Sequence, residues 1–187
     1  MELLEQQLAC GLRIGDNSAR EPIGPRAFGR EMGMEKTRVR DIMHSPAIVV
    51  TPDTCVPAAS ALMKERGIRH LPVVENGRLV GIVSRGDLRE ASISASANAD
   101  TYEFNFLLSR LTVGRLMTRK VITITPDAPI VHAAELMTEC KIAGLPVVDP
   151  DGAVVGIITE SDLLKMLVRR LREAEEARTE PSTSQQS

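Results

Sequence analysis

Leu71-Pro72-Val73-Val74, continued by Gly81-Ile82-Val83-Ser84-Arg85-Gly86-Asp87-Leu88, occurs twice in this chain of 187 residues. The second copy is Leu145-Pro146-Val147-Val148 with Gly156-Ile157-Ile158-Thr159-Glu160-Ser161-Asp162-Leu163. Upstream, the duplication runs back to Val39 and Val113, through Thr51-Pro52-Asp53 and Thr125-Pro126-Asp127. The offset is about 74 residues, rising by one where Asn76-Gly77 becomes Pro150-Asp151-Gly152, and about two-fifths of aligned positions are identical. Two copies in a short chain mean two similar units sharing one core. Each unit has roughly 50 to 55 residues, a size at which burial is marginal unless the unit packs on a partner. The other copy is that partner.

Composition narrows the function. A formal net charge of -2 offers no basic field for nucleic acid, and no Trp with a single Tyr leaves no aromatic platform for base stacking. Cys10, Cys55 and Cys140 have no CxxC spacing, and His44, His70 and His132 are scattered, so neither a metal set nor a disulfide framework is expected. No apolar run has the length of a membrane span, and the N-terminus lacks a signal-peptide core. The default is a protein of the cytoplasm that contacts neither membrane nor nucleic acid.

Residues 1–36 read as a flexible arm, broken by Gly11, Gly15, Pro22, Gly24, Pro25, Gly29 and Gly33. An alternative start at Met32 or Met34 would remove most of it. The first repeat domain spans 37–93. Val39 to Met43 reads as a short helical turn, Ile48 to Thr51 as a strand, and Val56, Ala59, Leu62 and Met63 as a helix stopped by Gly67. Leu71 to Val74 and Leu79 to Ser84 form a hairpin around Asn76-Gly77, a pair suited to a type I′ turn. A second helix opens near Arg85, so the order is β-α-β-β-α. Residues 94–112 form a linker: Ser92 to Ala99 is small and polar, and Asp100 with Glu103 has capping-box spacing ahead of a helix carrying Tyr102, Phe104, Phe106, Leu107, Leu108 and Leu111. That helix reads either as a cover for the repeat core or as a partner surface.

The second repeat domain, 113–172, follows the same order: a strand at Val121 to Thr125, a helix from Ile130 to about Cys140, and strands at Leu145 to Val148 and Val154 to Thr159. Its last helix continues toward Ala177. Leu163, Leu164, Leu167, Val168 and Leu171 form one face and Arg169, Arg170 and Arg172 another. Residues 173–187 are the C-terminal tail.

The doubled pattern resembles tandem CBS domains, named after cystathionine β-synthase and together called a Bateman module. Thr-Pro-Asp before a helix, the Leu-Pro-Val-Val strand, the Gly-Ile-Val/Ile strand and Ser/Thr-x-x-Asp carry the resemblance over nearly all of 39–170. The aromatic linker resembles the acetoin-utilisation type of CBS protein, here without the additional domain some of those proteins carry. The resemblance implies an α/β fold of two pseudo-symmetric β-α-β-β-α repeats packed through their sheets, with two composite clefts. These take AMP, ADP, ATP, S-adenosylmethionine or a related adenosyl ligand as a regulatory ligand, and no cofactor is required.

An Asp near a helix start can accept both ribose hydroxyl hydrogens, and a Ser or Thr hydroxyl three residues earlier can donate to phosphate. The bland reading of a lone S/T-x-x-D is a helix cap. By family carry-over, Ser84 and Asp87 share a cleft with Arg69 and His70, the base meeting Ala128, Ile142, Ala143 and Gly144. The other cleft joins Thr159 and Asp162 to Thr54, Ile68 and the backbone of Arg69 and His70. Because Arg69, His70 and Arg85 are replaced in repeat two by Ala143, Gly144 and Glu160, the Asp87 cleft is expected to take the phosphorylated ligand. The Asp162 cleft is then expected to stay empty or hold a less charged one.

The expected function is a regulatory module that senses an adenosyl ligand and acts on a protein effector or on its own assembly. Resemblance also implies a homodimer, with the apolar faces of the helices beginning near Val56 and Ile130 as its contact. The competing readings are a nucleic-acid binder through the basic face of the C-terminal helix, which steep salt dependence would reveal, a ligand-independent dimerisation or scaffold module, and an enzyme. No nucleophile–base constellation recurs to support the last.

Overall fold

The computed structural model describes residues 36–96 and 110–179; residues 1–35, most of the aromatic linker (97–109) and the end of the tail (180–187) lie outside them. A 3-10 turn at Val39–Asp41 opens repeat one, followed by α1 (Val56–Arg66), β1 (His70–Glu75), β2 (Arg78–Ser84) and α2 (Arg85–Ser96). Repeat two runs through the short α3 (Val113–Leu116), α4 (Ile130–Cys140), β3 (Gly144–Val148), β4 (Val154–Thr159) and the long α5 (Glu160–Thr179). The fold is α/β, with two antiparallel hairpins, β1–β2 and β3–β4. Asn76 (φ 51°) and Gly77 (φ 78°) both take positive φ at the tip of the first, as a type I′ turn requires.

The leading strand of each repeat shrinks to a single parallel bridge, Val50 to Val73 and Ile124 to Val147. Proline is the reason. Val50 donates to the Pro72 carbonyl (3.1 Å) and accepts from Val74 N–H (2.8 Å). The next rung would need an N–H from Pro52 or Pro72, and neither has one. Pro126 and Pro146 truncate the second copy in the same way. The segment still delivers its side chain to the core: Val50 is 7% exposed and Ile124 3%.

Each repeat's core is completed by the opening turn of the other. Val39 is fully buried among Ile124, Ile130, Leu136, Leu145 and Ile158 of repeat two. Val113 is fully buried among Val56, Met63, Leu71, Val83 and Leu88 of repeat one. Backbone bonds fix the exchange: Val39 N–H to Ala128 O (3.0 Å) and Val113 N–H to Thr54 O (2.8 Å). The same exchange explains the glycine of the Gly-Ile-Val/Ile strands. A methyl group on Gly156 would lie 2.7 Å from Met43 Sδ and 2.9 Å from His44 O, and one on Gly81 would overlap Met117 Sδ. Reciprocal burial gives each marginally sized unit the apolar surface it lacks alone.

Some local expectations change. The polar connector expected from Ser92 is helical to Ser96, and Ser92 Oγ–H donates to Leu88 O (2.8 Å), a back-bond that satisfies the hydroxyl within the helix. Cys55 is a free thiol whereas Cys140 takes part in a disulfide. Within the repeats, α1 packs its core through Val56, Ala59 and Met63, and α4 through Ile130, Ala133, Leu136 and Met137. On α5, by contrast, apolar residues lie on two faces. Met166 is buried, while Leu164, Val168 and Leu171 are exposed. No helix among the described residues is long and apolar enough to cross a membrane.

Candidate functional site

Both Ser/Thr-x-x-Asp segments stand where the second hairpin strand enters its helix, and both Asp carboxylates cap that helix. In repeat one the exchange is reciprocal: Ser84 N–H donates to Asp87 Oδ2 (2.7 Å), and Asp87 N–H donates to Ser84 Oγ (3.3 Å). In repeat two Asp162 Oδ2 receives both Thr159 N–H (2.9 Å) and Thr159 Oγ–H (2.7 Å). Its Oδ1 is 3.0 Å from His44 Nε2 and 4.0 Å from Lys165 Nζ. Asp162 is 6% exposed, the one buried charged residue among those described. A carboxylate has about four lone-pair sites, so three of those on Asp162 are already taken.

His44 reaches this carboxylate because its backbone is tied to β4, its N–H donating to Ile157 O (2.9 Å) and its carbonyl accepting from Ile157 N–H (3.0 Å). Thr118 is tied to Ile82 in the same way in repeat one. The segment that leaves the exchanged turn therefore passes directly over the Ser/Thr-x-x-Asp of the opposite repeat.

A cavity of about 460 Å³ opens at Asp162, within the range of small-ligand sites. Its walls come from both repeats. His44 to Ile48 and Arg66 to His70 supply one side, and Ile157, Thr159, Ser161, Asp162 and Lys165 the other. Arg69 crosses from repeat one to repeat two, its Nη2–H donating to Ser161 Oγ (3.0 Å). Arg66, Arg69 and Lys165 give the rim positive charge above one buried carboxylate. Ile48, Ile68 and Ile157 provide apolar wall. The arrangement suits a ligand with an apolar ring, vicinal hydroxyls and an anionic end.

His70 sits at the junction of the repeats. Its ring lies over Gly144, where an added methyl would come within 3.3 Å of Cγ. Burial pushes its imidazole below the ordinary 6.5, the Arg69 charge pushes the same way, and Asp87 and Glu160 oppose them. The ring is therefore neutral at neutral pH, with one donor and one acceptor.

Of the residues singled out in the sequence, Ile68, Arg69, His70, Thr159 and Asp162 line this one cavity. Arg69 is on the Asp162 side, not the Asp87 side, because its guanidinium turns toward Ser161. Thr54 does not line the cavity: its hydroxyl pairs with Thr51 (3.2 Å) and its carbonyl holds Val113. Ala128 is its counterpart, holding Val39. Ile142 packs on the core of repeat two, and Ala143 O accepts from Glu160 N–H (3.2 Å). Sequence reading missed His44, Arg66, Ser161 and Lys165. Their signal lies in the repeat offset, which matches them to Thr118, Cys140, Gly86 and Glu90, four changes of chemistry confined to one cleft. Among the described residues no group of three or more His, Cys, Asp or Glu is placed to hold a metal.

The CBS domain family model matches residues 39–94 and again 113–169. The chain belongs to the CBS domain family. The L-aspartate semialdehyde sulfurtransferase of Methanocaldococcus jannaschii is 33% identical over 142 residues, 75% of this chain and 25% of that enzyme. This CBS pair thus spans about a quarter of that relative's length. Among solved structures, the CBS domain pair of protein MJ0100, in complex with 5′-methylthioadenosine and S-adenosyl-L-methionine, matches with a TM-score of 0.60 at 32% identity, covering 72% of this chain and 98% of that one. CBSX2 in complex with AMP matches with a TM-score of 0.58 at 32% identity, covering 71% and 96%. The acetoin utilization protein (AcuB) from Vibrio cholerae matches with 0.62 at 32%, covering 78% and 98%.

Proposed function

We propose that this CBS pair is a regulatory module that binds an adenosyl ligand carrying an anionic 5′ group, AMP, ADP or ATP, in the Asp162 cleft. The observation that carries this is the cavity itself, with a buried carboxylate at its floor and Arg66, Arg69 and Lys165 at its rim. Asp162 takes the ribose hydroxyls, the apolar wall takes the adenine, and the guanidinium of Arg69 takes phosphate, which it can contact in bidentate fashion. The complexes of CBSX2 with AMP and of the MJ0100 pair with two adenosyl compounds support the ligand class.

Regulation follows from where the cleft lies. Its walls belong to different repeats, so a bound ligand favours the arrangement in which both walls engage it, in proportion to its differential affinity. The chain acts by binding, not by catalysis, and passes the state of its cleft to a protein effector or to its own homodimer.

The test is a thermal-shift panel with AMP, ADP, ATP, adenosine and S-adenosylmethionine. A phosphorylated ligand at 100 times its dissociation constant stabilises the protein by about 2.7 kcal/mol, a shift of several degrees. No shift with any of the five contradicts the proposal. That result would favour a ligand-independent dimerisation module, the reading to which the exposed Leu164, Val168 and Leu171 on α5 lend weight.

A further inference from the structure

We propose that His44 is a specificity-determining residue of the Asp162 cleft, a resident competitor for the carboxylate oxygen that a ribose diol must take. The inference rests on the adenosyl reading above and concerns which ligands the cleft admits. Both lone pairs of Asp162 Oδ2 are committed to Thr159, through bonds of 2.9 and 2.7 Å. Only Oδ1 remains for a ligand, and His44 Nε2 lies 3.0 Å from it. One hydroxyl can share Oδ1 with the imidazole; two cannot, because the oxygen has two lone pairs. A ligand that presents both ribose hydroxyls must displace His44.

The displacement is physically open. The His44 side chain is 66% exposed while that of Asp162 is 5% exposed, so the imidazole can swing outward and the carboxylate stays fixed. The His44 backbone need not move, since its two bonds to Ile157 hold it independently of the ring. Once displaced, the ring remains among the cavity-lining residues beside Arg69 and Lys165, where an anionic ligand end would hold it and an uncharged one would not. The cleft therefore discriminates against plain adenosine. Repeat one has no such device. Thr118 occupies the equivalent place, and among the described residues the Asp87 carboxylate is engaged through Oδ2 by Ser84 N–H (2.7 Å), with Oδ1 left to a diol.

The experiment is calorimetric titration of adenosine, 2′-deoxyadenosine and AMP into wild type, His44→Thr, His44→Gln and Asp162→Asn, each first checked for an unchanged circular dichroism spectrum and cooperative unfolding. Expected for His44→Thr is about a tenfold gain in adenosine affinity, a gain of less than about threefold for 2′-deoxyadenosine, which needs one lone pair, and no gain for AMP. His44→Gln, which keeps a donor at similar reach, should retain the wild-type AMP-to-adenosine ratio. Equal affinities of wild type and His44→Thr for all three ligands, with binding still lost in Asp162→Asn, would overturn the role of His44 and leave the adenosyl reading standing. A tightest binding event that Asp162→Asn leaves unchanged in affinity, or no binding to any variant, would overturn both.

Discussion

The two Ser/Thr-x-x-Asp segments share a backbone, a hydroxyl and a capping carboxylate, and differ in the side chains set around them. Each caps a helix, and each lies under a segment that crosses from the other repeat, Thr118 onto Ile82 and His44 onto Ile157. Yet around Asp162 stand His44, Arg66, Arg69 and Lys165, and the matching places around Asp87 hold Thr118, Cys140, Ala143 and Glu90. The difference teaches that duplication preserves what the core and the exchanged turns require and leaves the cleft rim free to diverge. The buried positions pair off as Val39 with Val113, Ala59 with Ala133, Met63 with Met137 and Leu71 with Leu145, all of them apolar. At the rim, Arg66, Arg69 and Lys165 pair with Cys140, Ala143 and Glu90.

The largest expected effect tests the shared part. Gly156→Ala should destabilise by about 3 kcal/mol, because the added methyl meets the His44 carbonyl, which is backbone and cannot give way. Gly81→Ala should cost less, about 2 kcal/mol, since its neighbours are Sδ, Cγ and Cβ of Met117, a side chain that can change rotamer where a backbone carbonyl cannot move. Urea unfolding measures both, and equal losses would break the account of the exchanged turns.

Next is the pair of caps. Asp162→Ala removes the acceptor for two Thr159 bonds at a buried position and should cost about 2 kcal/mol; Asp87→Ala, at a partly exposed one, should cost about 1 kcal/mol. The same unfolding assay ranks them.

His70 joins the two halves and adds a pH dependence. Its folded-state value lies below 6.5, so as pH falls past 6.5 the unfolded chain takes up the proton first. Stability should decline from about pH 6.5 downward until the folded ring itself protonates, and His70→Asn should remove that component. A His70→Asn profile parallel to wild type between pH 7 and 5 would show that the ring plays no such part.

The smallest effect compares helix ends. Gly67 ends α1 at φ 64°, and Lys141 ends α4 at φ 54°, a left-handed conformation that disfavours a side chain. Gly67→Ala should lose about 1 kcal/mol. Lys141→Gly should gain less than about 1 kcal/mol, the relief being partly offset by the entropy of glycine in the unfolded chain.

How much of this was legible in the sequence divides along the same line. Hairpins, helices and core residues could be read because apolar periodicity and Asn-Gly or Gly punctuation report local structure, and the repeat supplied each reading twice. The single-rung leading strands could have been read from Pro52 and Pro72, since a missing N–H is visible in sequence. The exchanged turns could not, because Val39 and Val113 look identical whichever core they enter. The site was half legible. Thr159-x-x-Asp162 and Ile68-Arg69-His70 carry a motif, but the direction of the Arg69 side chain depends on a bond to Ser161, 92 residues away. His44 carries no motif at all and reaches Asp162 only through its pairing with Ile157.

The most direct test of the central claim is calorimetric titration of AMP into Asp162→Asn and Asp87→Asn, variants that keep a capping oxygen and so the fold. The account predicts that Asp162→Asn loses the tightest AMP event and that Asp87→Asn retains it with affinity unchanged within about twofold. Loss in Asp87→Asn with retention in Asp162→Asn would place the phosphorylated ligand in the other cleft and contradict the account.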